Sequence, residues 1–374
     1  MLFRSRGFLE AKREELAQRT KECKQVLERT GIDNPNDRKK LLSFFGSQGV
    51  LPKTLKGNRS VAQSALEEIG SAESRAVTKW RSLQHAEAHW IDGMLDKTHT
   101  ESIIHANLDQ AHVISGRLAC RSPNLQAIPL KERGHAFGSF GGMFMPRDGY
   151  ELWEIDYDQA EYRLATAFAQ CDTMARMFAD GVDIHSDACD SLFGPDQRHL
   201  RWRAKRTNFA TIYGVSAKTL AVAINIEIEE AERFLAVQRR KYPQFPALNR
   251  TTAKIVDDKG YLELYTGRRR FFGPDEPTYK AFSQLVQASI AELVKDAMLD
   301  IWKVCEGRDI HQVLQIHDSL IIEISKEELE KGAIPAICAI AENVLPDRLA
   351  DRTSPPVKLS VSASKWAGAY GDSK

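Results

Sequence analysis

Two aspartates stand where a rigid backbone could hold them for chemistry. Asp156 ends the apolar segment Tyr150 to Ile155 (YELWEI), which has the length and composition of a strand. Asp318 lies inside VLQIHDSLIIEI, Val313 to Ile324, where two apolar runs flank His317, Asp318 and Ser319 in the pattern of a β-hairpin with a polar turn. Carboxylates fixed on strands are the hard oxygen ligands that a two-metal phosphoryl-transfer site needs, with the ions about 3.5–4 Å apart. Aspartates at strand ends are also common turn formers, so both readings fit this pair alone.

A second set runs along one helix. In RWRAKRTNFATIYG, Arg201, Lys205, Phe209 and Tyr213 recur every four residues and form a single stripe, cationic first and aromatic later. A nucleoside triphosphate along it would meet Arg201 and Lys205 with its phosphates and Phe209 with its base or sugar. An amphipathic helix with solvated cations and a packed Phe has the same periodicity. Other candidates are weaker. His85 and His89 in HAEAH have zinc-compatible spacing but no third ligand nearby, and read as a solvated helix face. Arg268, Arg269 and Arg270, followed by Phe271 and Phe272, could track a phosphate backbone or form a solvated loop.

The elements that must position these groups read as follows. A long amphipathic helix is expected from about Phe8 to Thr30, then a basic loop at Pro52 to Ser60, then helices at about Val61–Ile69 and Ala76–Met94. Ser115 to Gly142 is turn-rich. Asp196 to Lys254 is mostly helical with a break at Pro243 and Pro246, a strand pair surrounds Thr266 and Gly267, and a helix follows at about Tyr279–Val304. The mixture implies one α+β body with lobes.

Composition bounds the class. The 374 residues are 43% hydrophobic and 28% charged, with a formal net charge of +1, so no basic excess announces a nucleic-acid partner. The cations are bunched all the same, and a neutral chain can carry a basic channel. Six cysteines without a C-x-x-C argue against a zinc ribbon or a disulfide framework. With no apolar run of roughly 18 residues and no signal-like start, a soluble, non-secreted, cytoplasmic protein is expected, with no membrane role.

Four ordered segments resemble the signatures of family A DNA polymerases, the group of bacterial DNA polymerase I and related phage enzymes. SGRLACRSPNLQAIP (Ser115 to Pro129) is similar to the family's T-G-R-L-S-S-x-x-P-N-L-Q-N-I-P; DYDQAEYR (Asp156 to Arg163) to motif A; RWRAKRTNFATIYG (Arg201 to Gly214), preceded by DIH (Asp183 to His185), to motif B; and QIHDS (Gln315 to Ser319) to motif C. The resemblance implies a right-hand fold with an antiparallel-sheet palm, helical fingers and a helical thumb. The lobes would be a thumb at 1–100 with a basic tip at 53–60, palm at 101–190, fingers at 191–282 and palm again at 283–374.

It implies a template-directed DNA polymerase that adds dNTPs to a primer 3′-hydroxyl with two Mg²⁺ ions, Mn²⁺ being able to substitute. Asp156 and Asp318 would ligate both metals, helped by the Tyr157 carbonyl, with Lys205 also catalytic. His185, Arg201 and Lys205 would meet the triphosphate, Phe209 the sugar and Tyr213 the templating base, and Glu161 would exclude a ribose 2′-hydroxyl. Arg117 and Gln287 would read the minor groove at the primer end, near His317. Asn124, Gln126, Arg268 and the thumb-tip residues Lys53, Lys56 and Arg59 would contact primer-template DNA. Four positions depart from the family: Ser319 replaces the usual motif C Glu, Gly141 stands where a triphosphate-binding Arg is common, and Trp202 and Ala210 replace an Arg and a Gly. The chain begins near the thumb and its first hundred residues hold no D-x-E signature, so proofreading is not expected of it; a processivity factor or a separate exonuclease would be a further partner. A single-subunit RNA polymerase and a non-catalytic DNA-binding relative are the alternatives; Glu161 argues against the first, and the retained aspartates and helical stripe against the second.

Overall fold

A computed structural model of the chain describes residues 2–4, 6–48, 60–95, 103–129 and 139–366. It divides into two compact units, one of residues 1–108, 120–152 and 365–374, the other of residues 109–119 and 153–364.

In the first unit the expected long helix spans Arg6–Glu28, followed by Arg38–Ser47, Gln63–Ile69 and Ala72–Ala86. The Arg38–Ser47 helix was not expected; its signal is Asp37, whose carboxylate accepts from Lys39 N and Lys40 N and so satisfies the free amides of the first turn. The last of the four begins earlier than its apolar pattern suggests because Ser71 caps it, accepting from Ser74 N at 3.1 Å. It runs on into a π-helical stretch, Glu87–Asp92. His85 and His89 are exposed, as expected, with their rings 5.1 Å apart. Leu27, Leu41, Phe45, Leu66 and Val77 pack as a core among these helices. A small antiparallel sheet places Leu2–Arg4 between Ile103–Ile104 and Phe144–Met145. The expected basic tip, with Lys53, Lys56 and Arg59, lies outside the described residues.

The second unit is built on a four-stranded sheet in the order Val361–Lys365, Tyr150–Tyr157, Ser319–Ser325, Ile310–Ile316. The last two form the expected hairpin, antiparallel with Ser319 opposite Ile316 and a bulge beside Ile321 and Ile322. Every residue of Ser319–Ser325 is buried, which explains the apolar run Leu320–Ile322 where a half-exposed strand would alternate. Helices Ala160–Ala169 and Ala281–Cys305 contribute Leu164, Phe282 and Val286 to the same core as Ile155, Leu320 and Ile322.

The stretch read as mostly helical, Asp196 to Lys254, holds Arg201–Tyr213, Ala217–Ile224, Ile228–Lys241 and Gln244–Lys259, with Ile184–Phe193 before it. Pro243 marks the break, whereas Pro246 sits in the first turn of the next helix, where a missing N–H costs nothing. The strand pair around Thr266 and Gly267 is Tyr261–Glu263 with Arg269–Phe271. Among the described residues no helix is long and apolar enough to cross a membrane. All six cysteines are free, and five are buried.

Candidate active site

Asp156 is the penultimate residue of its strand and Asp318 the second residue of the two-residue turn that leads into the neighbouring strand. Both are partly exposed. That turn is tight. His317, its first residue, has φ +55°, the left-handed region that two-residue hairpin turns require and that His tolerates better than most residues. The Gln315 side chain donates to the His317 carbonyl, and the Ser319 hydroxyl to the Ile316 carbonyl at 3.0 Å. Ser319 is buried at 4% exposure, so its hydroxyl closes the hairpin. Asp156 also lines an open cleft with Tyr157, Asp158 and Asp183.

Two carboxylates and a main-chain carbonyl are a donor set that suits a hard cation such as Mg²⁺, which keeps waters and takes substrate phosphates as its other ligands. Among the described residues no group of three or more His, Cys, Asp or Glu side chains forms an all-protein metal cage. A cavity of about 770 Å³ lies elsewhere, between Phe168, Leu248, Tyr265 and Arg348; its one carboxylate is Glu263, and none of the candidate residues lines it.

The stripe on the Arg201–Tyr213 helix is graded. Ala204, Thr207, Ala210 and Thr211 bury the opposite face. Gly214 ends the helix at φ +69°, where a Cβ would press against the Asn249 amide at 3.3 Å. Arg201 is held by Asp183, with Nε at 2.9 Å and Nη2 at 2.7 Å from Oδ2, and by Ser186 Oγ at 3.3 Å from Nε. Burial alone would raise Asp183, but bonds from Ser186, Arg201 and His185 N outweigh it and hold the carboxyl at about 2. Lys205 is exposed and has no ion-pair partner among the described residues.

Phe209 packs against Tyr162 (4.6 Å between ring centroids), Tyr213 (6.1 Å) and His185 (6.4 Å). His185 is buried, at 3% exposure. Burial first, and the Arg201 charge second, push its pKa down to about 4, so it is neutral at neutral pH. The Asn208 amide, which donates to the Ile184 carbonyl at 3.0 Å, lies 3.3 Å from His185 Nδ1. That bond assigns the imidazole proton to Nε2.

At the far end of the stripe Glu161 is gripped from two sides. Its Oε2 accepts from the Tyr213 hydroxyl at 2.9 Å and its Oε1 from Arg117 Nη2 at 3.3 Å. Burial, then the Glu161 charge, raises Tyr213, so the phenol stays a donor. Gln287, on the Ala281–Cys305 helix, is half-buried, and His317 is exposed. Arg268 turns inward, toward Glu292 and Ser115.

These residues all belong to the second unit; Asn124 and Gln126 belong to the first. There both bond within their own loop, Asn124 Oδ1 accepting from Gln126 N at 3.1 Å and Gln126 Oε1 from Cys120 N at 3.1 Å. Sequence reasoning gave no role to Asp183, Asn208 or Glu292. Asp183 was legible, because an Asp just before the apolar-periodic run Ile184–Phe193 is a helix N-cap, and it accepts from His185 N at 2.9 Å. Asn208 and Glu292 leave no local signal, since each meets a partner more than twenty residues away.

Comparison with known proteins places this arrangement among relatives. The family described as DNA polymerase family A matches residues 6–366. DNA polymerase I of Rhizobium leguminosarum is 29% identical over 368 residues, covering 92% of this chain and 35% of that protein. The thermostable DNA polymerase I of Thermus aquaticus is 30% identical over 335 residues, covering 83% of this chain and 39% of that one. The chain thus spans well under half the length of the curated relatives it matches. Among solved structures, the POL domain of Pol1 from M. smegmatis, in complex with DNA primer-template and dNTP, superposes with a TM-score of 0.85 at 24% identity, over 98% of this chain and 68% of that chain. At that identity the likeness shows the fold.

Proposed function

The chain belongs to DNA polymerase family A, and from that premise we propose that it extends a DNA primer on a DNA template, the primer 3′-hydroxyl attacking the α-phosphate of a dNTP and releasing pyrophosphate. The observation that carries the reading is the delivery of Asp156 and Asp318 by neighbouring strands of one sheet. Two Mg²⁺ ions held there, with the Tyr157 carbonyl, would lower the pKa of the primer hydroxyl and neutralise charge on the leaving phosphates; Mn²⁺ has the same ligand preferences.

The chain's own groups do the positioning. Lys205, exposed, is available to the triphosphate, while Arg201 is pre-oriented by Asp183 and presents a fixed guanidinium beside it. Neutral His185 has an Nε2–H to donate. Phe209, backed by Tyr162, offers a flat wall to the sugar, and Tyr213 closes the pocket. Glu161, bonded by Tyr213 and reached by Arg117, occupies the space a ribose 2′-hydroxyl would need. Arg117, Gln287 and His317 would face the primer end, with Asn124, Gln126 and the basic residues Lys53, Lys56 and Arg59 along the duplex. On this reading the lobes are thumb 1–100, palm 101–190 and 283–374, and fingers 191–282.

The test is extension of a primed DNA template with Mg²⁺. Wild-type protein should extend with dNTPs and not with NTPs, and Asp156→Ala should abolish extension. Extension by that variant at the wild-type rate would remove the site assignment.

A further inference from the structure

The sequence offers Arg268 and its two neighbours as a phosphate contact or a solvated loop, yet the Arg268 guanidinium is used inside the chain. Nε donates to Glu292 Oε1 at 2.9 Å and Nη2 to the Ser115 carbonyl at 2.8 Å. The next residue along that loop is fitted to it. A Cβ on Gly116, which has φ +82°, would lie 2.6 Å from Arg268 Nη2 and 3.0 Å from its Cζ, so a side chain there would strain the backbone and push the guanidinium out of its present place. Gly116 N also donates to the Val113 carbonyl at 2.8 Å. Arg117 follows immediately and reaches Glu161.

The anchor itself is rigid. Arg268 closes the Leu264–Arg268 turn, in which Leu264 N donates to the Arg268 carbonyl at 2.8 Å and Gly267 N to the Leu264 carbonyl at 3.0 Å. One helical turn beyond Glu292, Asp296 accepts from the Tyr265 hydroxyl at 2.9 Å, so the same helix holds the turn at two points. Glu292 is further fixed by Lys295 at 2.9 Å and is 14% exposed.

The Arg117–Glu161 pair is different: at 3.3 Å and 35% and 24% exposed it cannot hold a long side chain in place by its own strength. Its geometry therefore depends on where the backbone at 115–117 sits. We propose that Arg268 is a positioning residue: by clamping the Ser115–Gly116 turn to the Ala281–Cys305 helix it aims Arg117 at Glu161 and so sets the sugar-side wall of the nucleotide pocket. This deepens the polymerase reading and rests on it.

Two experiments test it. In hydrogen–deuterium exchange on the free protein, Arg268→Ala should raise exchange at residues 113–118 about tenfold or more, and Arg268→Lys, which keeps the charge but loses the two-directional fork, should do so as well. Unchanged exchange there in a folded variant would overturn the proposal. In single-turnover primer extension, Arg268→Ala should slow incorporation roughly tenfold, the scale of a sub-ångström misplacement. It should have no further effect in an Arg117→Ala background and should leave the salt dependence of DNA binding unchanged. An equal loss in that background, or a salt slope lower by about one, as for a lost phosphate contact, would overturn it. If the wild-type chain extends no primer, the polymerase reading falls, and the exchange measurement still decides whether Arg268 positions the loop.

Discussion

Two hairpins of the second unit put their turn residues to opposite use. The hairpin of Ile310–Ile316 with Ser319–Ser325 buries its strands and presents the turn: His317 is exposed and Asp318 partly so. The hairpin of Tyr261–Glu263 with Arg269–Phe271 turns its tip inward, Tyr265 to Asp296 and Arg268 to Glu292. The first tip is shaped by main-chain geometry and two short local bonds, which leaves a carboxylate facing out to accept a ligand. The second is saturated by its neighbours, which suits a part that must hold something else still. Groups that receive substrate and groups that position them differ here in how completely the chain itself satisfies them.

The sharpest way to break this contrast is at the open tip. Asp318→Ala should reduce Mg²⁺-dependent primer extension by about a thousandfold or more, since a ligand to the reacting metals is lost. Its thermal stability should stay close to wild type, because Asp318 is partly exposed and supports no strand. Extension within tenfold of wild type would show that the open turn is not the reactive one.

The same contrast separates two histidines, and pH reads it. His317 is exposed, whereas His185 is buried and held down to about 4. Between pH 6.5 and 4 the unfolded chain binds a proton at residue 185 that the folded chain refuses, so stability falls as pH falls through that window, by roughly 3 kcal/mol at most. Asp183, held at about 2, loses its contribution only below the unfolded carboxylate value near 4. Urea denaturation at pH 7.5 and pH 5 should show His185→Gln losing part of the acid slope of the wild-type protein. An identical slope in the variant would mean that His185 is not buried neutral.

How much of this was legible in the residues follows the range of each interaction. The Arg201–Tyr213 stripe and the Asp318 hairpin are written in local periodicity, and the helix and the strands form where the pattern places them. Asp156 needed only an apolar run before it. What the pattern does not carry is whether a polar side chain meets water or another part of the chain. Arg268 and Arg269 are neighbours of the same type, yet the first reaches Glu292 at 2.9 Å, whereas Arg269 pairs across its own hairpin with Glu263 at 3.5 Å, both side chains being more than half exposed. Glu292 and Ser115, the partners that make the difference, are 24 and 153 residues away. Composition, motif and spacing cannot rank such partners; packing of the Ala281–Cys305 helix does.

The closed tip gives the smallest effect. Tyr265→Phe removes the hydroxyl that donates to Asp296 and keeps the ring, so packing is preserved and a carboxylate loses one charge-assisted bond. The loss should be about 2 kcal/mol, the range for hydrogen bonds to charged groups. Burial, then the bond and charge of Asp296, raise the Tyr265 pKa, so the phenol remains a donor at any pH where the protein is assayed. Because Arg268 still binds Glu292 in this variant, the turn keeps one of its two anchors, and primer extension should fall by no more than about threefold. A stability loss of this size with near-normal extension would show that the two anchors have separable work, Tyr265 holding the hairpin to its helix and Arg268 aiming the loop beyond it. A collapse of extension as large as that of Asp318→Ala would instead make both tips parts of one catalytic surface, and the contrast between the hairpins would fail.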